Sequence, residues 1–256
     1  MDRWILLIST LTALIGAVWG MRSVHHGHRS HWTVVWMAVT FALQLAFLFL
    51  RGQARAACPL ADSGEILSFL AWALTFFYLL VGPTYRISLL GVFTAPVVVA
   101  FQAIALIPGM LDAAPATIPG GNPWHETHSA TAVLSYGAFA LAAVAAVMFL
   151  TLDKQLKAQH LKSGLFRNLP PVRELLVSLT RLLWLGTALL TIGVIAGTLM
   201  PKDGAAPVGH LLAAYTVWTA YAALLAVKSI RGLTGRRFSL ATVGLFILSL
   251  GVFAFV

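Results

Sequence analysis

Apolar residues gather into eight long runs along the chain, at about 4–20, 32–50, 64–82, 88–109, 127–151, 178–200, 208–228 and 238–256, and the short stretches between them hold most of the charges. Each run is close to the ~20 residues that a helix needs to cross a hydrocarbon core. The pattern predicts an all-α polytopic membrane protein, about eight transmembrane helices in one bundle. Pro83, Pro108, Pro123, Pro170, Pro171 and Pro201 fall at or near the proposed ends, where a missing N–H breaks no interior hydrogen bond. Pro96 alone sits inside a run and predicts a kink in the fourth helix. The first run could serve as a signal peptide by hydrophobicity, but its n-region is weak and no A-x-A site follows, so it is read as the first span.

The fifth run has the most polar mouth. Asn122 can accept a hydrogen bond from a free N–H of the first turn, Pro123 suits the first helical position, and Glu126 faces the positive end of the helix dipole. The helix therefore begins above its apolar stretch. His125 and His128 share a face at 3.6 residues per turn, and Thr131 and Ser135 continue it. Polar groups facing lipid are costly, so this stripe should point into the bundle.

Composition narrows the class. Of the 256 residues, 59% are hydrophobic and 10% charged, which excludes an ordinary soluble domain and leaves no loop long enough to fold separately. The expectation is a single transmembrane domain over 1–256. The lone Cys58 excludes an internal disulfide and any C-x-x-C redox or zinc motif.

Charge gives orientation. Arg22, Arg29, Arg86, Lys154, Lys157, Lys162, Arg167, Arg173, Arg181, Lys228, Arg231, Arg236 and Arg237 fall on one side of the alternating loops; Arg3, Arg51, Arg55 and Lys202 fall on the other. The rich side should be cytoplasmic, which puts both termini outside with Asp2, Asp62, Glu65, Asp112, Glu126 and Asp203. The net charge of +9 then reads as a topology signal and a surface for anionic lipid, with no nucleic acid implied. Segment 153–176, with Leu156, Leu161 and Leu165 among lysines, reads as an amphipathic stretch on that surface.

The histidines carry the chemistry on offer. HETH at 125–128 has a spacing of three where a zinc protease needs H-E-x-x-H, so a zinc hydrolase is set aside. HHGHRSH at 25–31 could offer imidazoles to a transition metal, but a solvated interfacial loop beside Arg22 and Arg29 explains it more simply. His128 lies inside an apolar segment, where a histidine is a functional candidate or a helix-packing hydrogen-bonder. His210 begins the seventh run at the same outer level, and the two could ligate haem iron from opposite sides. Trp124 is then placed to pack on a flat macrocycle, with His125 close by and Arg51 or Arg55 to meet a propionate. Gln44 and Gln102 are the strongly polar mid-span side chains, and no span carries a central carboxylate, which weakens a transporter reading.

Three blocks resemble the cytochrome c assembly family of haem-handling membrane proteins. GEILSFLAWALTFFYLLVGPTYRISLLGVFTAPVV at 64–98 is similar to its E-S-L-x-F-L-x-W region; WHETHSATAVLSYGAFALAAVAAVMFLTLDKQLK at 124–157 is similar to its W-x-x-x-H helix. LPPVRELLVSLTRLLWLGTALLTIGVIAGTLM with the later GLTGRR at 232–237 resembles the order of its final third. The likeness runs from about residue 60 to 256, and the eight-helix HemX and YpjD proteins are the branch it most resembles. It implies His128 as an external axial ligand of haem. It also shows departures. GTLMPKDG at 197–204 stands where haem-transporting members carry a tryptophan-rich segment, Lys228 stands near the expected intramembrane histidine, and the second external histidine would fall past Val256.

Together these features imply a non-catalytic accessory protein of a bacterial inner membrane, active in haem handling or cytochrome c maturation beside other assembly proteins or a haem-synthesis enzyme. The competing expectation is a structural or regulatory subunit that binds no haem.

Overall fold

The computed structural model describes residues 2–26, 31–81, 88–112, 117, 122–157, 172–200 and 208–251, with the side chains of 88–89, 172 and 208–211 excepted. Among them the chain is helical throughout: α1 (Asp2–His25), α2 (Trp32–Arg55), α3 (Ser63–Val81), α4 (Ser88–Ala105), α5 (Pro123–Lys157), α6 (Val172–Thr198), α7 (Val208–Arg231) and α8 (Gly235–Leu250). Helices α1, α2, α3, α5, α6 and α7 are long and apolar enough to cross a membrane, and α4 holds a shorter apolar stretch at Leu90–Ala105. The protein is a multi-pass membrane protein of all-α class, as its apolar runs predict.

Helix ends differ from the apolar runs for a physical reason. Hydropathy reports the length that sits in hydrocarbon, whereas backbone hydrogen bonding continues into polar flanks wherever the exposed N–H and C=O groups find partners. Thus α1 runs to His25 and α2 to Arg55, and α5 begins at Pro123 and continues to Lys157. At about 1.5 Å per residue, α5 is roughly 50 Å long, well beyond a ~30 Å hydrocarbon core. Helix α4 stops early instead. Pro108 cannot donate to the carbonyl four residues back, and Gly109 takes a φ of +92°, so the chain turns through 106–111.

Two compact units are distinguished, Met1–Gly120 with Gln155–Glu174 and Gly121–Lys154 with Leu175–Val256. In the first, α1 packs on α2 and α4, and α3 packs on α2 and α4. The buried residues recur at three- and four-residue steps: Leu6, Ser9, Ala13, Gly16 and Gly20 on α1, and Met37, Thr40, Gln44, Leu48, Arg51 and Arg55 on α2. This is the periodicity of one helix face turned inward. Glycine lets α1 approach: a Cβ at Gly16 would meet Trp36 Cβ at 3.0 Å, and one at Gly20 would meet Thr33 Oγ1 at 3.1 Å.

The second unit is organised on α5, which is buried without a break from Ser135 to Ala146. A helix apolar on all sides is one surrounded by other elements. Its Phe139 ring stacks on Tyr221 of α7 at 3.7 Å and nearly parallel, while Tyr136 meets Phe139 edge-on and donates its hydroxyl to the Ser249 carbonyl at 3.2 Å.

Threonines are kept compatible with an apolar setting by bonding within their own helix. The hydroxyls of Thr75, Thr94, Thr187 and Thr242 each donate to the carbonyl four residues earlier, at 2.8 to 2.9 Å. No outside partner is then needed in a medium that offers none.

Candidate functional site

The mouth of α5 is built as its sequence implies. Asn122 Oδ1 accepts the Trp124 backbone N–H at 3.0 Å, and the Asn122 carbonyl accepts Glu126 N–H at 3.1 Å. Asn122 is therefore the N-cap, with Pro123 first in the helix and Glu126 in its first turn. A capped start fixes the phase of the helix, and with it the direction of every side chain in the next two turns.

That phase points His128 at α6. Its Nδ1 lies 2.7 Å from the carbonyl oxygen of Gly193. A carbonyl carries no proton, so Nδ1 donates, and the neutral imidazole must then present a lone pair at Nε2. The ring is half-buried and its tautomer is set by backbone rather than by a titrating group. Gly193 permits the approach, since a Cβ there would stand 3.0 Å from Thr131 Oγ1 and 3.5 Å from the His128 carbonyl. The polar stripe beyond is self-satisfied: Thr131 donates to the Thr127 carbonyl at 2.6 Å, and buried Ser135 donates to Ala132 at 2.6 Å.

His125 is exposed and Trp124 is 45% exposed at the same mouth. His210 lies in the first turn of α7, and its side chain falls outside the described residues. What the geometry supplies is one oriented imidazole nitrogen beside an exposed indole and a second histidine. A histidine held through Nδ1 by a backbone carbonyl keeps its other ring nitrogen directed, which is how metal-ligating histidines are usually held.

Two expected contributions are redirected. Neither Arg51 nor Arg55 is placed to meet a propionate, because carboxylates of the chain already occupy both. Arg51, 1% exposed, donates Nε to Glu65 Oε1 at 2.9 Å, Nη1 to Asp2 Oδ2 at 3.0 Å and to the Asp112 carbonyl at 2.9 Å, and Nη2 to Asp62 Oδ2 at 2.8 Å. Arg55 donates Nε to Glu65 Oε1 at 2.6 Å, and Nη2 to Asp62 Oδ2 at 3.0 Å and to Asp112 Oδ2 at 3.1 Å. Lys228 is likewise engaged: its Nζ donates to the Leu233 carbonyl at 2.8 Å and lies 5.1 Å from the centre of the Phe238 ring, closing the α7–α8 turn.

The charged cap of Asp2, Arg51, Arg55, Asp62, Glu65 and Asp112 is the main feature that reading along the sequence misses. One local signal was available. Asp62 Oδ1 accepts Glu65 N–H at 2.7 Å, so Asp62 caps α3, and Glu65 Oε2 reaches one residue further back to accept Ala61 N–H at 3.0 Å, a variant of the D-x-x-E capping box ahead of an apolar run. In the 25–31 cluster, His26 Nδ1 lies 2.8 Å from the Arg22 carbonyl, and His28 falls outside the described residues. Among the described residues no three His, Cys, Asp or Glu side chains gather as a metal site.

Comparison with known proteins gives relatives named for cytochrome c biogenesis. The chain is similar to the cytochrome c biogenesis protein CcsA of Thermosynechococcus vestitus, 30% identical over 228 residues that cover 73% of this chain and 72% of the relative. It is similar to CcsA of Synechococcus sp. (strain CC9902), 28% identical over 241 residues that cover 83% and 79%. To CcsA of Crocosphaera subtropica it is 33% identical over 117 residues, 43% of this chain and 35% of the relative, so there the match spans about a third of the relative's length. The sequence model described as "Cytochrome C assembly protein" matches residues 60–256, from the α2–α3 turn through α8, and takes in both the capped mouth of α5 and its Gly193 partner. The chain belongs to the cytochrome c assembly protein family.

Proposed function

We propose that this protein acts in cytochrome c biogenesis as an accessory haem-handling protein, holding haem iron through Nε2 of His128. The observation that carries this reading is the 2.7 Å bond from His128 Nδ1 to the Gly193 carbonyl, which leaves Nε2 as the lone-pair nitrogen. Bound haem would bring a redox-active iron and a planar apolar face. The chain's own part is to orient one imidazole, offer the exposed Trp124 indole to that face, and keep His125 within the same mouth. His210 is the proposed second ligand from the start of α7. Membership of the HemX and YpjD branch is part of the proposal and is supported by the eight helices among the described residues and by the sequence GTLMPKDG at 197–204. So is a place in a bacterial inner membrane with both termini outside, where other assembly proteins or a haem-synthesis enzyme are partners and the basic loops meet anionic lipid.

The test is a reduced-minus-oxidised spectrum with a pyridine haemochrome assay on the purified protein, on His128→Ala and on His210→Ala. Near-stoichiometric b-type haem that disappears in His128→Ala is the expected result, and loss in His210→Ala as well makes the two a ligand pair. Gly193→Ala is expected to lower haem occupancy while leaving His128 in place, because the added methyl crowds Thr131 and lengthens the bond that orients the ring. A wild-type protein that neither retains nor takes up haem overturns the assignment.

The second reading is a structural or regulatory subunit without haem. Lys228 favours it, since the position near the family's intramembrane histidine is spent here on closing a turn. In that case the His128–Gly193 bond is an interhelical clamp and nothing more.

A further inference from the structure

Five buried polar atoms on helices α2, α3 and α4 have no hydrogen-bond partner among the described residues: Nε2 and Oε1 of Gln44, Oε1 of Gln102, Oγ of Ser68 and Nε1 of Trp72. Gln44, Gln102 and Ser68 are 1%, 0% and 1% exposed. Polar atoms left bare in an apolar interior are costly, and native structures pair nearly all of them with protein or ordered water.

These atoms come from α2, α3 and α4. Gln102 Nε2 of α4 donates to Ser9 Oγ of α1 at 2.8 Å, and Ser9 Oγ donates to the Thr40 carbonyl of α2 at 3.4 Å. Gln44 follows Thr40 by one turn on the same buried face, and helical side chains lean toward the N-terminus, which brings its amide over Thr40. Trp72 of α3 stacks on Phe41 of α2 at 5.7 Å, and Ser68 precedes it by one turn. Leu6, Phe47, Leu48, Ala105 and Leu111 form an apolar cluster, with Trp72 packed against it. By residue order on α1, α2 and α4, that cluster lies between the polar layer and the charged cap.

The kinds of atom identify the occupant. Gln44 and Ser68 offer both donors and acceptors, Trp72 Nε1 only a donor, and Gln102 Oε1 only an acceptor. A cation would want acceptors alone and an anion donors alone. Water satisfies both, and at roughly three bonds per buried molecule about two waters cover the five atoms. We infer that Gln44, Gln102, Ser68 and Trp72 form an occluded hydration site between α1, α2, α3 and α4, with the Leu6–Phe47–Leu48–Ala105–Leu111 layer standing between it and the charged cap on α1, α2 and α4.

Radiolytic hydroxyl-radical labelling of the full chain in lipid nanodiscs tests this, because a radical made from bound water marks the side chains it touches. Trp72 and Phe41 report on the site, and Met148, fully buried in the other unit, serves as the dry reference. The expected result is labelling of Trp72 and Phe41 well above Met148. After rapid mixing into oxygen-18 water, the first label should still carry oxygen-16 and turn to oxygen-18 only as the trapped water exchanges. In Gln44→Leu with Gln102→Leu the labelling should fall to the Met148 level. Labelling of wild type no higher than Met148 overturns the site as dry. Oxygen-18 at the shortest mixing time overturns its occlusion, and labelling unchanged in the double variant overturns the assignment of the residues.

Discussion

Glu65→Ala is expected to lower the unfolding free energy by about 3–5 kcal/mol, the range found when one partner of a buried ion pair is removed. Glu65 is fully buried, and one of its oxygens accepts from Nε of both Arg51 and Arg55. Its loss leaves two guanidiniums, 1% and 4% exposed, facing only Asp2, Asp62 and Asp112. The second carboxylate oxygen is lost too, so the Ala61 N–H goes without its acceptor. Thermal and denaturant unfolding in a fixed detergent measures the effect. Glu65→Gln, which keeps the shape and the acceptor but not the charge, should cost distinctly less. A cycle of Glu65→Ala with Arg55→Ala should show strong coupling, because removing both relieves the unpaired charge. A Glu65→Ala cost below about 1 kcal/mol, the worth of an exposed pair, would show that the cap is solvated rather than buried.

Phe139→Ala is expected to cost a comparable 3–5 kcal/mol, the usual range for deleting a buried aromatic ring. The ring is fully buried, lies flat on Tyr221 at 3.7 Å, and fills the notch left by Gly186. A Cβ at Gly186 would stand 2.5 Å from the ring edge, so Gly186→Ala should itself cost about 1–3 kcal/mol through overpacking. The two sites should be non-additive in a definite direction: Gly186→Ala is expected to cost less in a Phe139→Leu background, where the aromatic edge has gone. Equal costs in both backgrounds would mean that α6 moves away from α5 rather than the ring yielding.

The helices themselves were legible because spanning a membrane imposes one coarse rule on every segment. The runs at 32–50 and 64–82 correspond to α2 and α3, and the capped start of α5 could be read from Asn122, Pro123 and Glu126. What hydropathy could not give was partner choice. Arg51 and Arg55 end an apolar run, and nothing adjacent to them in sequence says whether they face water, lipid phosphate or a carboxylate. Their partners lie at positions 2, 62, 65 and 112, and only folding brings these together. Loop alternation did assign those residues to one side, so the layer was foreseeable although the pairing was not. The α5 site divides in the same way. His128 stood out as a polar residue in an apolar helix, but its bond to a backbone carbonyl on α6 leaves no trace in side-chain composition. Gln44 and Gln102 were visible as mid-span polar residues, and their meeting near Ser9 and Thr40 required the packing of α1, α2 and α4.

The charged cap also bears on how the chain enters a membrane. Arg55 precedes its Glu65 partner by ten residues, and Asp112 follows it by fifty-seven. At about 5–20 residues added per second, Glu65 emerges roughly half a second to two seconds after Arg55, and Asp112 several seconds later. During that interval the α1–α2 hairpin carries two guanidiniums that have Asp2 alone for company. At the end of an apolar helix such arginines can extend along their own stems to the membrane surface until carboxylates arrive to pair with them. The paired state of Arg51 and Arg55 is therefore complete only after Asp62, Glu65 and Asp112 have all been made, so the end of α2 is finished by residues from three later parts of the chain.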